Sequence, residues 1–207
     1  AIRDVYKRQG EESEAMQKAF YRQVDRWAQA LQKRNNLDRI AYLKIKLGLE
    51  VFFNNLFKTI VVYGLALLFH VFLYTLTVHL SYFIIRHFAH GAHAKSTLAC
   101  YIESIVLFVM LPWLLATYHV PINIMITLAA IAVILLCIYA PAATVKQPIP
   151  TRLIKKKKIT AIILATLMFA ISFLVPNAYQ QMILLGITLQ GGSQLPIFFP
   201  KNRKDVL

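Results

Sequence analysis

Apolar positions along this chain come in blocks much longer than a soluble helix needs, and the polar positions between them fall in short, basic stretches. Residues 1–46 are polar and charged, with none of the apolar core of a secretory leader. Within them Met16, Phe20, Val24, Trp27 and Leu31 recur every three or four residues among Glu, Lys and Arg. That spacing predicts an amphipathic helix over 11–34, lying on a membrane or packed against protein. From Leu47 to Phe88 the chain is almost wholly apolar. One span of hydrocarbon takes about 20 residues, so this stretch predicts a hairpin of two spans turning near Leu68–Val71. Further spans are predicted at Leu98–Thr117, Ile122–Ala140, Ile159–Val175 and, shorter, Ala178–Leu189. Tyr118-His119-Val120-Pro121 and Pro176-Asn177 make uncharged breaks, and a long basic loop is expected over 141–158.

The predicted fold class is therefore all-α: a polytopic integral membrane helical bundle of about six transmembrane helices with an amphipathic N-terminal helix. Its segments are a polar region at 1–46, a transmembrane domain at 47–190 and a cytoplasmic tail at 191–207. A four-span arrangement, with the first hairpin or the last segment half inserted, is the alternative. The composition agrees, being 58% hydrophobic over 207 residues, against about 45–50% in soluble domains.

Charge fixes an orientation. The net charge is +14, and all 23 Lys and Arg fall in four clusters, with none in 59–85, 96–145 or 159–200. Nucleic-acid binding would spread such charge over one face. Here it brackets apolar spans, as cytoplasmic connections do. With six spans, both termini and the two internal basic connections share the cytoplasmic side, and every turn on the other side lacks Lys and Arg. Two cysteines give no disulfide framework. Cys137 lies mid-span and reads as a small buried apolar residue.

The candidate chemistry sits at Arg86-His87-Phe88-Ala89-His90-Gly91-Ala92-His93-Ala94, with Cys100 seven residues after His93. A thiol needs a base and partial exclusion of water to act as a nucleophile, and this block supplies both beside a bilayer surface. The start of the span at Cys100 would add the positive end of a helix dipole, which favours thiolate. Gly91 permits a tight turn. Glu103, the only acid between residues 51 and 204, is costly in a span unless paired, and would orient His93 or meet Arg86 or Lys95. Glu50 would face the same site from span one.

This block resembles the signature of the accessory gene regulator B (AgrB) family, membrane peptidases of Gram-positive quorum sensing. Tyr139-Ala140-Pro141-Ala142, running on to Lys146-Gln147-Pro148-Ile149, resembles the family's second signature. The likeness covers about residues 40–200. One position departs from it: His90 stands where the family usually has the first of two glycines. The resemblance implies a cysteine endopeptidase that cuts a precursor peptide, AgrD, and passes the acyl group to a precursor cysteine, closing a thiolactone autoinducing peptide. It implies Cys100 as nucleophile and His93 as base, with Arg86, Gly91, Glu103 and Glu50 in support, and no cofactor. Thioester-to-thioester exchange is close to energy-neutral, so a cysteine where water is scarce suits cyclisation. General-base help is typically worth about 10²–10⁴-fold. Lys146, Arg152, Lys155, Lys156, Lys157 and Lys158 would attract anionic lipid or hold the acidic part of the precursor. A homodimer is compatible with a bundle of this size.

Two other readings compete. His87, His90 and His93, with Cys100 beyond, could form a metal-dependent protease site, although the tight His-Glu-x-x-His motif and a nearby acid are missing. A membrane transporter would use intramembrane ionisable groups, here only His70, His79 and Glu103.

Overall fold

The computed structural model describes residues 20–92, 97–118, 120–142 and 149–198. Every regular element among them is helical, as the pattern of apolar runs requires. The chain divides into two units, Ala1–Val61 and Val62–Leu207.

The first unit holds helix α1, residues 20–34, and the first part of α2, Arg39–Leu68. Asn36, in the left-handed region at φ 48°, turns the chain between them. Asp38 caps α2 through Ala41 N–H, 2.8 Å from Oδ1. The amphipathic stripe packs against protein. Val24 and Ala28 are buried, Phe20 sets its ring edge-on to Phe53 and Phe57, and Trp27 lies 5.1 Å from Phe53. Lys46 Nζ pairs with Asp25 Oδ1 at 2.7 Å, and the Tyr42 hydroxyl donates to the same carboxylate.

The second unit contains the end of α2, α3 (Phe72–Ala89), α4 (Thr97–Ile105), a π turn (Val106–Met110), α5 (Leu111–Thr117), α6 (Ile122–Tyr139), α7 (Thr151–Ser172), α8 (Asn177–Gly192) and a 3₁₀ turn at Pro196–Phe198. The expected hairpin turn at 68–71 is there, with His70 at φ 56°. The expected span at Leu98–Thr117 is also there but is not a uniform α-helix. Pro112 has no N–H to donate, and Leu111 N–H reaches back to the Val106 carbonyl. The resulting π turn buries Phe108 and Val109 and stacks Phe108 on His79 at 4.6 Å.

The core forms around α8, which packs chiefly on α6 and α3. Its residues Met182–Ile187 are all buried. Close approach depends on glycine twice. A Cβ on Gly186 would stand 1.9 Å from Ser81 Oγ, and one on Gly191 would stand 2.5 Å from Ala132 Cβ.

Three helices among the described residues are long and apolar enough to cross a membrane: Arg39–Leu68, Leu98–Thr117 and Ile122–Tyr139. At 18 residues and a rise of about 1.5 Å each, α6 is about 27 Å long. Large apolar side chains of these helices, such as Leu47, Phe52, Ile60, Ile102, Ile134 and Ile138, are exposed, as a lipid-facing surface requires. The basic segment before α7 departs from the expected loop. The helix begins at Thr151, directly after Pro150, so Arg152 and Lys155–Lys158 form its first two turns. Proline is well placed beside a helix start, and Lys and Arg are good helix formers.

The connections sort by charge. At one end of the second unit Phe69 meets Trp113, Tyr74 meets Tyr179, and Gln181 Nε2 donates to the Val120 carbonyl at 3.0 Å. These uncharged turns lie together. The basic connections meet at the other end, where the candidate chemistry lies.

Candidate active site

Helix α3 stops at Ala89 because His90 and Gly91 leave helical space. His90 has φ 57° and ψ −143°, and Gly91 has φ 134°. Side-chain-bearing residues rarely adopt either conformation, and strain of this kind costs about 1–3 kcal/mol. The departure at His90 from the family pattern thus falls on a position whose backbone favours glycine. At Gly91 space is also lacking, since a Cβ would lie 2.6 Å from Ser193 Oγ and 2.9 Å from Arg86 Nη1.

The strained turn is held on all sides. Arg86, one helical turn earlier, donates from Nη2 to the Ala92 carbonyl and from Nη1 to Ser193 Oγ at 3.4 Å. Its guanidinium lies over the Tyr82 ring, 5.3 Å from the centroid. Ala92 N–H donates to the Ser193 carbonyl at 3.0 Å. The His90 carbonyl accepts two side-chain amides, Gln190 Nε2 at 2.6 Å and Gln194 Nε2 at 2.8 Å. Both glutamines are almost fully buried, at 0% and 1% exposure. Their Oε1 atoms have no hydrogen-bond partner among the described residues, at a cost of about 1–3 kcal/mol each that apolar side chains would not incur.

The second signature joins the same turn. Ala142 N–H donates to the Ala89 carbonyl at 3.0 Å, and His90 and Ala142 form a parallel bridge. From the third side, Lys157 Nζ reaches His90 Nε2 at 2.7 Å. The turn after α3, the exit of α6, the start of α7 and the end of α8 therefore converge on three residues, His90–Ala92.

Cys100 is half-buried in the first turn of α4, the positive end of that helix dipole. Its carbonyl accepts Ser104 Oγ at 2.8 Å. Glu103 is exposed, and no ion pair joins it to Arg86 among the described residues. Glu50 is half-buried in the first unit. His93 and Lys146 lie outside the described residues. Arg152, Lys155 and Lys156 are exposed, whereas Lys157 and Lys158 are half-buried. Cys137 is exposed on α6, not buried as its sequence setting implied, because that face of the helix lies outside the core. Among the described residues no three His, Cys, Asp or Glu side chains gather as a metal would require. His87 is exposed beside Phe88, and His90 Nε2 faces an ammonium group that would repel a cation.

A family model for accessory gene regulator B matches residues 24–193. The chain belongs to the accessory gene regulator B family. It is 70% identical to the accessory gene regulator protein B of Staphylococcus carnosus (strain TM300) over 190 residues, which are 92% of this chain and all of that one. To the proteins of the same name in Staphylococcus saprophyticus and Staphylococcus haemolyticus it is 57% and 53% identical. Those alignments cover 86% and 89% of this chain and 95% and 98% of theirs. No solved structure matches it. An AgrB protein takes its place in quorum-sensing accessory gene regulation, and both family signatures meet at one strained turn here. Gln190, Ser193 and Gln194 were not candidates in the sequence. Their signal was a polar run closing an otherwise apolar helix.

Proposed function

We propose that this AgrB chain is a membrane-embedded cysteine endopeptidase that cleaves an AgrD-like precursor and cyclises it to a thiolactone. The observation that carries the reading is the placement of Cys100: half-buried, in the first turn of its helix, a short chain distance after the turn that the Arg86 guanidinium clamps. His93 follows Ala92 in the chain, and Ala92 is the residue that the clamp holds.

The Cys100 thiol gives its proton to the His93 imidazole, and the thiolate attacks the scissile carbonyl. The amide bond breaks, and its nitrogen leaves with the proton returned by His93. A precursor cysteine thiol then attacks the enzyme thioester. Its sulfur takes the acyl group, closing the ring, and Cys100 recovers its proton. Partial burial keeps water from the thioester during the interval between the two steps. Arg152, Lys155 and Lys156, with Lys146, Lys157 and Lys158, draw the acidic part of the precursor to the same end and hold anionic lipid beside it. The span count is six, and the basic end faces the cytoplasm by the charge rule.

The test uses the full chain in liposomes with a synthetic precursor, read by mass spectrometry. Cys100→Ala and His93→Ala each stop cleavage, Cys137→Ala does not, and a chelator has no effect. Cleavage that survives loss of Cys100, in protein that inserts normally, refutes the assignment. Chelator sensitivity would return the metal reading.

A further inference from the structure

We infer that Gln190 and Gln194 are positioning residues for the thiol–imidazole pair, acting through the carbonyl of His90. The inference rests on the peptidase reading and adds to it two groups from the far end of the chain. Three observations carry it. Both amides converge on one carbonyl oxygen, at 2.6 and 2.8 Å. Both side chains are buried although their Oε1 atoms have no partner among the described residues. The carbonyl they hold belongs to a residue at φ 57°, whose backbone would otherwise relax.

The geometry accounts for the arrangement. A carbonyl has two lone pairs, and the paired amides, one on the last turn of α8 and one just beyond its end, fill both. That fixes the peptide plane between His90 and Gly91. Ala92 is fixed next, through its N–H to Ser193 and its carbonyl to Arg86. His93 is the following residue in the chain. Without the amide donors the peptide plane between His90 and Gly91 is free to rotate, and Ala92 loses its fixed place. A misplacement of about 1 Å in a reacting group costs about 10²-fold in rate.

Met is the discriminating replacement, because it keeps the length and apolar stem of Gln and lacks the donor. The full chain carrying Gln190→Met and Gln194→Met is reconstituted in liposomes beside wild type and His93→Ala. Precursor cleavage gives kcat and KM, and alkylation of Cys100 by iodoacetamide at neutral pH reports imidazole assistance without substrate. The expected result is a kcat lower by about 10–100-fold, a KM within about twofold of wild type, and alkylation slowed toward the His93→Ala rate. A melting temperature in detergent near that of wild type separates positioning from general loss of fold. If the double variant does not insert, each single variant is measured in the same way. Wild-type kcat and alkylation in the Met variants, or an effect on KM alone, overturn the inference while His93→Ala remains inactive. If His93→Ala itself cleaves and alkylates normally, it is the peptidase assignment that fails.

Discussion

Lys157 Nζ stands 2.7 Å from Nε2 of His90. An ammonium only donates, so Nε2 is the acceptor in this contact. Lys157 therefore has a task that its neighbours Lys155 and Lys156, both exposed, do not share. Lys157→Met should lower precursor cleavage by about tenfold, the scale of one charged hydrogen bond. Lys155→Met and Lys156→Met should each lower it by no more than about twofold, with a loss that shrinks in high salt. Equal losses at all three positions would reduce Lys157 to one more attracting charge.

The left-handed pair His90–Gly91 gives opposite outcomes at adjacent positions. Gly91→Ala places a methyl 2.6 Å from Ser193 Oγ at φ 134° and should destabilise by about 1–3 kcal/mol or more. His90→Gly removes strain at φ 57° and loses the Lys157 contact. Its stability should stay within about 1 kcal/mol of wild type, because the two terms oppose each other. Thermal unfolding in one detergent compares the three proteins directly. A Gly91→Ala protein as stable and active as wild type would mean that the turn is looser than described.

Two neighbouring glycines on α8 make a second matched pair. A Cβ on Gly191 meets Ala132 backbone and side chain at 2.5–2.7 Å, and one on Gly192 meets nothing within 4 Å. Gly191→Ala must push α8 from α6 and should cost about 1–3 kcal/mol. Gly192→Ala should leave the melting temperature within a degree or two. Similar behaviour of the two would argue against the close α6–α8 approach.

Acid should act on the first unit through Asp25. The Lys46 ammonium, and then the Tyr42 hydroxyl, hold its carboxyl below the usual carboxylate range. A depressed folded-state value means that the stabilisation is present above the ordinary Asp value of about 3.9 and lost as pH falls through the folded value. Asp25→Asn should therefore lower stability at neutral pH, where the contact is intact, and flatten the acid limb of a pH-stability curve, so that variant and wild type converge at low pH. The site is solvent-exposed, so salt should weaken the effect. An unchanged acid limb in Asp25→Asn would exclude this contact as its source.

The fold was legible where one residue type dominates a long run. The hairpin turn at 68–71, the breaks at Pro121 and Pro176 and the amphipathic stripe of α1 follow from apolar periodicity and proline alone. The basic stretch was misread as a loop because charge marks a membrane border without specifying local structure, and the helix signal at Pro150-Thr151 was overridden by it. The π turn was hidden because Pro112 interrupts one hydrogen bond in a sequence that otherwise continues helically. At the site, Arg86 and Gly91 were legible in the sequence, and the fold brings them together at one turn. The sequence could not point to Gln190 and Gln194, since their partner is a backbone carbonyl one hundred residues earlier. A hydrogen bond to the main chain leaves no mark on the residue that accepts it.

The turn at positions 90–92 is completed by residues 190–194, near the far end of the chain. A nascent polypeptide emerging from the ribosome has this turn long before it has the groups that bond it. The turn is therefore completed only once the last helix is made and packed.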